Sequence, residues 1–139
     1  MLKKILVATD ASEFSRRAVK LALEIARKFN AEVELLFVLH IPVVYGSIIY
    51  SYLSQEQIEQ EGELALEATL EGIDISSVIL IKKKLHGRPA NVILKEVENE
   101  NIDLVVMGSH GSGVIAGSLL GSVSSYVLHN ANCPVLIVK

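Results

Sequence analysis

Short apolar runs separated by helix-length amphipathic segments are the feature that most restricts how this chain can fold. The runs are too short for buried helices and are rich in strand-forming residues. Between them, apolar residues recur at helical spacing, as at Ala18, Leu21, Ala22 and Ile25. This alternation predicts a parallel sheet with helices on both faces. The predicted strands are Lys4–Ala8, Glu32–His40, Val78–Ile81 (extending into the lysines that follow), Ile102–Gly108 and Pro134–Lys139.

The connections between these elements predict one doubly wound topology. Right-handed crossovers limit the choice, and we expect the strand order 3-2-1-4-5 of a Rossmann-like α/β fold. That order puts the carboxyl ends of strands 1 and 4 at the switch point, where ligands bind. The predicted helices are Phe14–Asn30, Ser54 to about Glu71, Pro89 to about Asn101, and a last helix with Ser122 as its N-cap.

A glycine-rich segment follows the fourth strand, at this switch point. Gly108, Gly111 and Gly121 are spaced G-x2-G-x9-G, and Ser122 comes next. Glycine tolerates positive φ and lets backbone N–H groups approach a ligand, and the N–H groups of a helix start attract phosphate. The segment predicts a nucleotide phosphate site, with a flexible solvent-exposed loop as the alternative. Asp10, at the end of the first strand, falls in the same crevice and favours the site.

Composition excludes several other functions. The 139 residues are half apolar, as expected for a single domain over residues 1–139. A net charge of −3 gives no reason to expect a nucleic-acid partner. Without a signal peptide or a membrane-spanning run, we expect a cytoplasmic protein with no membrane partner. The run Lys82–Lys84 is expected to be a solvated strand end, and Cys133, the only cysteine, an inert packed thiol.

One irregular connection, from Ile41 to Leu53, holds three of the four tyrosines. A connection of this length is usually functional or mobile. It would act either as a lid over the crevice or as a surface packed on a partner subunit, and the sequence leaves both open.

Several motifs together resemble the universal stress protein family, and the resemblance covers essentially the whole chain. The glycine pattern is the most specific of them, because within that family it marks the members expected to hold ATP. The resemblance implies a small ATP-binding protein with a regulatory or stress-response role. The matching segments are Lys4–Asp10 with Ser12 and Ser15, Leu39–Ile41, Gly87 with Pro89 and Ala90, Asp103–Gly111, Gly121–Val123 and Cys133–Val138.

The resemblance also implies roles for individual residues around the nucleotide. The ends of the first two strands would contact the base and ribose, and the glycine segment would contact the phosphates. Ala8, Thr9 and Asp10 would border the base and ribose, with Ile41 offering backbone contacts to adenine; Met107, Gly108, His110 and Gly111 would line the ribose and phosphate path; Gly121, Ser122, Val123 and Ser124 would hold phosphates through amides and hydroxyls.

The glycine segment has no fixed cation. No Lys or Arg occurs from Ser109 to Ser125, and the Walker-type Gly-Lys-Ser/Thr is absent. We therefore expect ATP to bind with Mg²⁺ or Mn²⁺, held mainly by phosphates and water. Asp10 is either a ribose or metal contact or a turn residue, and His110 either touches phosphate or occupies a tolerant position. Three other histidines fall on different elements and predict no histidine metal site: His40, His86 and His129.

The crevice offers little for catalysis. Phosphoryl transfer needs a positioned nucleophile and charge stabilisation. Asp10 is the one acidic residue placed there, no arginine finger is visible, and the loop serines Ser109, Ser112 and Ser122 have no recognisable base partner. We expect a regulatory binding protein. The alternatives are a slow metal-dependent ATP hydrolase and a nucleotide-free dimeric scaffold.

The fifth strand predicts a second interface. It is apolar along its length and would lie at the sheet edge, which invites pairing with another copy. We expect a homodimer, which the resemblance also implies, through Val135, Leu136, Ile137 and Val138.

Overall fold

In the computed structural model, residues 1–40, 55–111 and 120–139 are described. They form a five-stranded parallel sheet in the order 3-2-1-4-5, so the predicted topology is confirmed. Ile41, the connection to Leu53, Ser54 and Ser112 lie outside the described residues. The strands are β1 Lys4–Thr9, β2 Glu32–His40, β3 Leu80–Gly87, β4 Leu104–Gly108 and β5 Val135–Val138; the helices are α1 Glu13–Phe29, α2 Gln55–Leu70, α3 Pro89–Asn99 and α4 Ser122–Asn130.

Each face of the sheet packs against two helices. Successive residues of β1 face opposite ways, so Ile5 and Val7 join the core under α1 and α2, and Leu6 packs toward α3 and α4. Because both faces are covered, the central strands are nearly continuous apolar runs. The predicted doubly wound α/β architecture is therefore present.

Two helix starts frame the carboxyl ends of the strands. Ser12 caps α1, where its Oγ accepts a hydrogen bond from the N–H of Ser15 at 3.3 Å. At α4 the N-cap is Gly121, with φ −64° and ψ 156°, so the prediction of Ser122 as N-cap is wrong by one residue. The N–H of Gly121 donates to the carbonyl of Ser109 at 2.7 Å, which holds Gly121 extended and makes Ser122 the first helical residue.

The lysine run lies in the middle of β3, and its prediction as a solvated strand end is wrong for two of its members. β3 extends through the lysines, as predicted, and ends at Gly87, because it pairs with β2 along its whole length. Lys84 is one of the two: its Nζ lies 2.9 Å from Glu59 Oε2 and 2.8 Å from Glu63 Oε2, both on α2.

Lys83, the other, centres an ion cluster on the opposite face. Its Nζ lies 2.8 Å from Glu96 Oε2, 3.2 Å from Glu100 Oε1 and 3.3 Å from Glu34 Oε1. Burial lowers the pKa of Lys83, but hydrogen bonds to Glu96 and Glu100 raise it more. The Glu34 side chain is 7% exposed. Burial, together with the neighbouring Glu96 carboxylate, raises the pKa of Glu34 to about 7. The cluster therefore contains a carboxyl group that changes charge near neutral pH.

The surroundings of Cys133 agree with the inert packed thiol expected from the sequence. Cys133 packs against the core between the sheet and α3 and α4, and burial raises the pKa of its thiol. A raised pKa disfavours the reactive thiolate, in agreement with an inert packed thiol.

Over the three described ranges, no helix has the length and apolar character to cross a membrane.

Candidate functional site

A cavity of about 610 Å³ opens at the carboxyl ends of the strands, beyond β1 and β4. Small-molecule sites typically occupy about 300–1,000 Å³. Every predicted site residue that the structure describes lines this cavity, although the residues come from distant parts of the chain; Ile41 lies outside the described residues. The predicted residues brought together are Ala8, Thr9, Asp10, Met107, Gly108, His110, Gly111, Gly121, Ser122, Val123 and Ser124.

Other lining residues were missed by the sequence reasoning. Leu36, Val38 and His40 alternate along β2 on the face shared with Ala8, which pairs with Leu36. The two-residue strand period could have identified them once β2 was placed beside β1. No sequence signal singles out Ile93 of α3. The remaining missed residues are Ser15, Pro89, Leu120 and Ser125.

One half of the cavity is apolar. Leu36, Val38 and Ile93 border it together with Ala8 and Met107, and Met107 is only 5% exposed. Side chains of this kind give van der Waals contact without hydrogen-bonding demands. This half suits an uncharged aromatic ring and disfavours a phosphate.

Thr9 is fixed in a buried hydroxyl network. Its Oγ1 lies 3.0 Å from Ser15 Oγ and 2.7 Å from Thr69 Oγ1, and it accepts a hydrogen bond from the N–H of Ala11 at 2.9 Å. Thr69 in turn donates to the carbonyl of Ala65 at 2.7 Å. The Thr9 hydroxyl therefore ties the end of β1 to α1 and α2 and shapes the cavity wall.

Asp10 shapes the turn that leads from β1 to α1. Its Oδ1 accepts a hydrogen bond from the N–H of Ser12 at 3.0 Å and one from Ser15 Oγ at 3.3 Å. The side chain is exposed and lines the cavity, with Oδ2 facing the Cα of Gly111. The turn role considered for Asp10 is thus present, and its carboxylate remains at the cavity surface.

The motif glycines serve close approach and do not supply positive φ. Among the described glycines, positive φ occurs at Gly72 and Gly87 only. A Cβ on Gly108 would lie 2.7 Å from the Cβ of Phe14, and a Cβ on Gly111 would collide with the Asp10 carboxylate. Gly108 and Gly111 therefore serve the close approach of α1 and of the Asp10 carboxylate, and the tolerance of glycine for positive φ is not used at the described glycines of the motif.

Hydrogen bonds fix both ends of the glycine segment. The N–H of Ser109 donates to the carbonyl of Val138 at 2.8 Å, which anchors the segment to β5. Ser124 Oγ donates to the carbonyl of Gly108 at 2.8 Å. This bond uses the single hydroxyl proton of Ser124, which leaves its backbone N–H as the donor for a ligand.

The first turn of α4 forms the polar end of the cavity. N–H groups in the first turn have no acceptor within the helix and carry partial positive charge. Ser122, Val123 and Ser124 supply them here. No Lys or Arg belongs to the described lining. Across the described ranges, no group of three or more His, Cys, Asp or Glu could hold a metal ion. The polar end thus offers amides and a helix dipole to an anion.

Ser109 contradicts the expectation that the loop serines lack a base partner. Its Oγ lies 3.0 Å from His110 Nδ1. Ser109 is 5% exposed and is not one of the cavity-lining residues, so its hydroxyl supports the imidazole from behind. The His110 ring also packs on Phe14, with 5.5 Å between the ring centroids and 56° between the planes. These contacts orient His110, which does line the cavity.

Known proteins are similar to this chain in both sequence and fold. The universal stress protein family model matches residues 1–139. Universal stress protein MJ0531 of Methanocaldococcus jannaschii is 37% identical, over 100% of this chain and 83% of that protein. The solved structure of MJ0577 from the same organism has a TM-score of 0.79 at 30% identity, covering 100% of this chain and 96% of that one. A universal stress protein solved in complex with cAMP has a TM-score of 0.70 at 27% identity, covering 99% and 97%.

Proposed function

The chain belongs to the universal stress protein family, and from this we propose that it is a cytoplasmic, ATP-binding regulatory protein of the stress response. Bound nucleotide would set its conformation or its choice of partner. The observation that carries the proposal is one cavity with an apolar half and a helix start at its polar end.

The two halves of the cavity suit the two parts of an adenine nucleotide. The base would rest against Ala8, Val38 and Met107, and the phosphates would reach the N–H groups of Ser122 and Val123. The family member solved with cAMP supports an adenine nucleotide as the class of ligand. Asp10 would border the ribose from the turn that it stabilises.

ATP would bind together with Mg²⁺ or Mn²⁺. Amides and a helix dipole offset only part of a triphosphate's charge, and no Lys or Arg lies in the described lining. A divalent ion held mainly by phosphates and water would supply the rest. We expect weaker ATP binding in EDTA than in magnesium; equal affinity in the two buffers would contradict the metal requirement.

The test is thermal unfolding of nucleotide-stripped protein with MgATP, using a pair of variants at one exposed position. Ser122→Asp places a carboxylate at the first helical residue, where it stabilises the helix but repels phosphate. Ser122→Ala removes the same hydroxyl without adding charge. At a hundred times its dissociation constant, ATP should stabilise the wild type by about 2.7 kcal/mol. For a domain of this size that is a rise of several degrees in Tm.

The pair separates loss of binding from loss of folding. We expect the ATP-induced shift to persist in Ser122→Ala and to disappear in Ser122→Asp, whose ligand-free Tm should equal or exceed that of the wild type. An unchanged shift in Ser122→Asp would place the phosphates elsewhere. The absence of any shift at millimolar ATP would favour the nucleotide-free scaffold.

We further propose that β5 forms a homodimer interface. β5 lies at the edge of the sheet formed by the described residues, and its four residues are apolar. Carbonyls of Pro134 and Val138 accept hydrogen bonds from β4, so by alternation the N–H of Ile137 faces the open edge. Ile137→Pro should give a monomer by light scattering, since it removes that donor and spares the bonds to β4. A dimer that survives this change would contradict pairing through β5.

A further inference from the structure

We propose that His40 and His110 make nucleotide binding pH-dependent, with affinity rising as pH falls because the imidazoles then supply the positive charge that the cavity otherwise lacks. This inference rests on the proposed function and concerns its regulation. An imidazole changes charge between pH 5 and 8, and an imidazolium forms charge-assisted hydrogen bonds with phosphate.

The structure brings the two histidines into one cavity from separate elements. His40 is the exposed last residue of β2, and His110 is the second residue after β4. Phe14 and Ser109 orient the His110 ring, with the Ser109 hydroxyl 3.0 Å from Nδ1. An imidazole held in this way at the cavity wall needs little reordering to meet a phosphate.

Few charged side chains line the described part of the cavity. The segments 41–54 and 112–119, which the structure does not describe, contain no Asp, Glu, Lys, Arg or His in the sequence. Among the described residues that line the cavity, the acidic, basic and histidine side chains are Asp10, His40 and His110. Asp10, at the end of β1, favours an imidazolium nearby.

Cations on the neighbouring elements do not line the site. Arg17 of α1 lies over the Phe14 ring, 5.5 Å from its centroid. Arg88, the residue before α3, and Lys139, the residue after β5, are both exposed. Arginine and lysine side chains do not ordinarily change charge between pH 5 and 8. His86 of β3 is paired with Leu39 beside His40 but does not line the cavity, so the histidine variants decide which imidazole causes a change in nucleotide affinity.

Cyclic AMP is a probe whose own charge does not change with pH, so a pH dependence of its binding comes from the protein. The terminal phosphate of a monoester itself titrates near pH 6, at about the same pH as an imidazole. The phosphodiester of cAMP keeps one negative charge from pH 5 to 8, and adenosine carries none. Binding of both is measured by calorimetry at pH 5.5 and pH 8.0, in EDTA, on the intact protein and its histidine variants.

The expected result is a cAMP affinity about tenfold higher at pH 5.5 than at pH 8.0, the size of one charge-assisted hydrogen bond, with adenosine affinity the same at both. His110→Gln together with His40→Gln should abolish the difference. His129→Gln, which removes an exposed imidazole outside the cavity, should retain it. His110→Arg should raise the cAMP affinity at pH 8.0 toward the value at pH 5.5.

The other outcomes separate this inference from the proposed function. If cAMP binds equally at both pH values, or if the pH effect survives in the double variant, the histidine inference is overturned and nucleotide binding stands. If neither cAMP, adenosine nor MgATP binds at either pH, the proposed function itself fails. A folded double variant, checked by circular dichroism, is required for the comparison.

Discussion

Replacing Glu34 by glutamine should stabilise this protein at alkaline pH and leave its stability in acid nearly unchanged. Glu34 is buried in β2, 3.3 Å from Lys83 Nζ, and Lys83 is closer to Glu96 and Glu100. The amide of glutamine is neutral at every pH and nearly isosteric with the carboxyl group. Lys83 therefore keeps two carboxylate partners in the variant.

The magnitude follows from the pKa of Glu34, which burial and then the neighbouring Glu96 raise from an ordinary 4.5 to about 7. A raised acid pKa means that the folded state prefers the protonated carboxyl group. Its stabilising contribution is fully present below 4.5 and is lost as pH rises to about 7. At about 1.4 kcal/mol per pKa unit, the ionised group costs about 3 kcal/mol at pH 8, which is the upper limit of the gain in Glu34→Gln.

The assay is urea unfolding of wild type and variant at pH 4.5 and pH 8, with Glu32→Gln as the matched control. Glu32 is on the same strand, but its side chain is 30% exposed and it pairs with Lys4 at 3.6 Å. The control should change stability by less than about 1 kcal/mol at either pH. A Glu34→Gln effect that is equal at both pH values, or that destabilises at pH 8, would contradict a raised pKa of Glu34.

Three further substitutions test the cavity walls. Gly108→Ala should lower the free energy of unfolding by about 1–3 kcal/mol in urea titrations, because its Cβ would press on Phe14. Thr69→Val should lower the free energy of unfolding by about 1–3 kcal/mol in the same titrations, because the buried Thr9 hydroxyl loses its hydrogen bond to Thr69. Thr69→Ser, which keeps the hydroxyl, should retain most of the wild-type stability. Gly111→Ala should displace the Asp10 carboxylate and weaken ATP binding in calorimetry; unchanged affinity would show that Asp10 does not position the ligand.

The topology and the location of the cavity could be predicted because both depend on local signals. Strand and helix periods identify the elements, and right-handed crossovers leave few strand orders. Once β1 and β4 are neighbours, Asp10 and Gly108 must lie at the same edge of the sheet. The glycine spacing then marks the segment that meets the start of α4.

The physical roles of individual residues depend on contacts far away in sequence and could not be predicted. Glycine is required at position 108 because Phe14 of α1 packs against it, and the spacing of the motif does not identify that neighbour. One hydroxyl partner of Thr9, Thr69, is sixty residues away in α2. The ion pairs of Lys83 bring together Glu34 of β2, Glu96 of α3 and Glu100 just after α3, and composition does not predict that these side chains meet.

A crystal structure of the nucleotide-stripped protein grown with MgATP would test ATP binding at this cavity most directly. We expect electron density for the nucleotide in the cavity between the ends of β1 and β4, with adenine beside Val38 and Met107. Its phosphates should lie within hydrogen-bond distance of the backbone N–H groups of Ser122 and Val123. A nucleotide bound elsewhere, or an empty cavity at millimolar MgATP, would contradict the account.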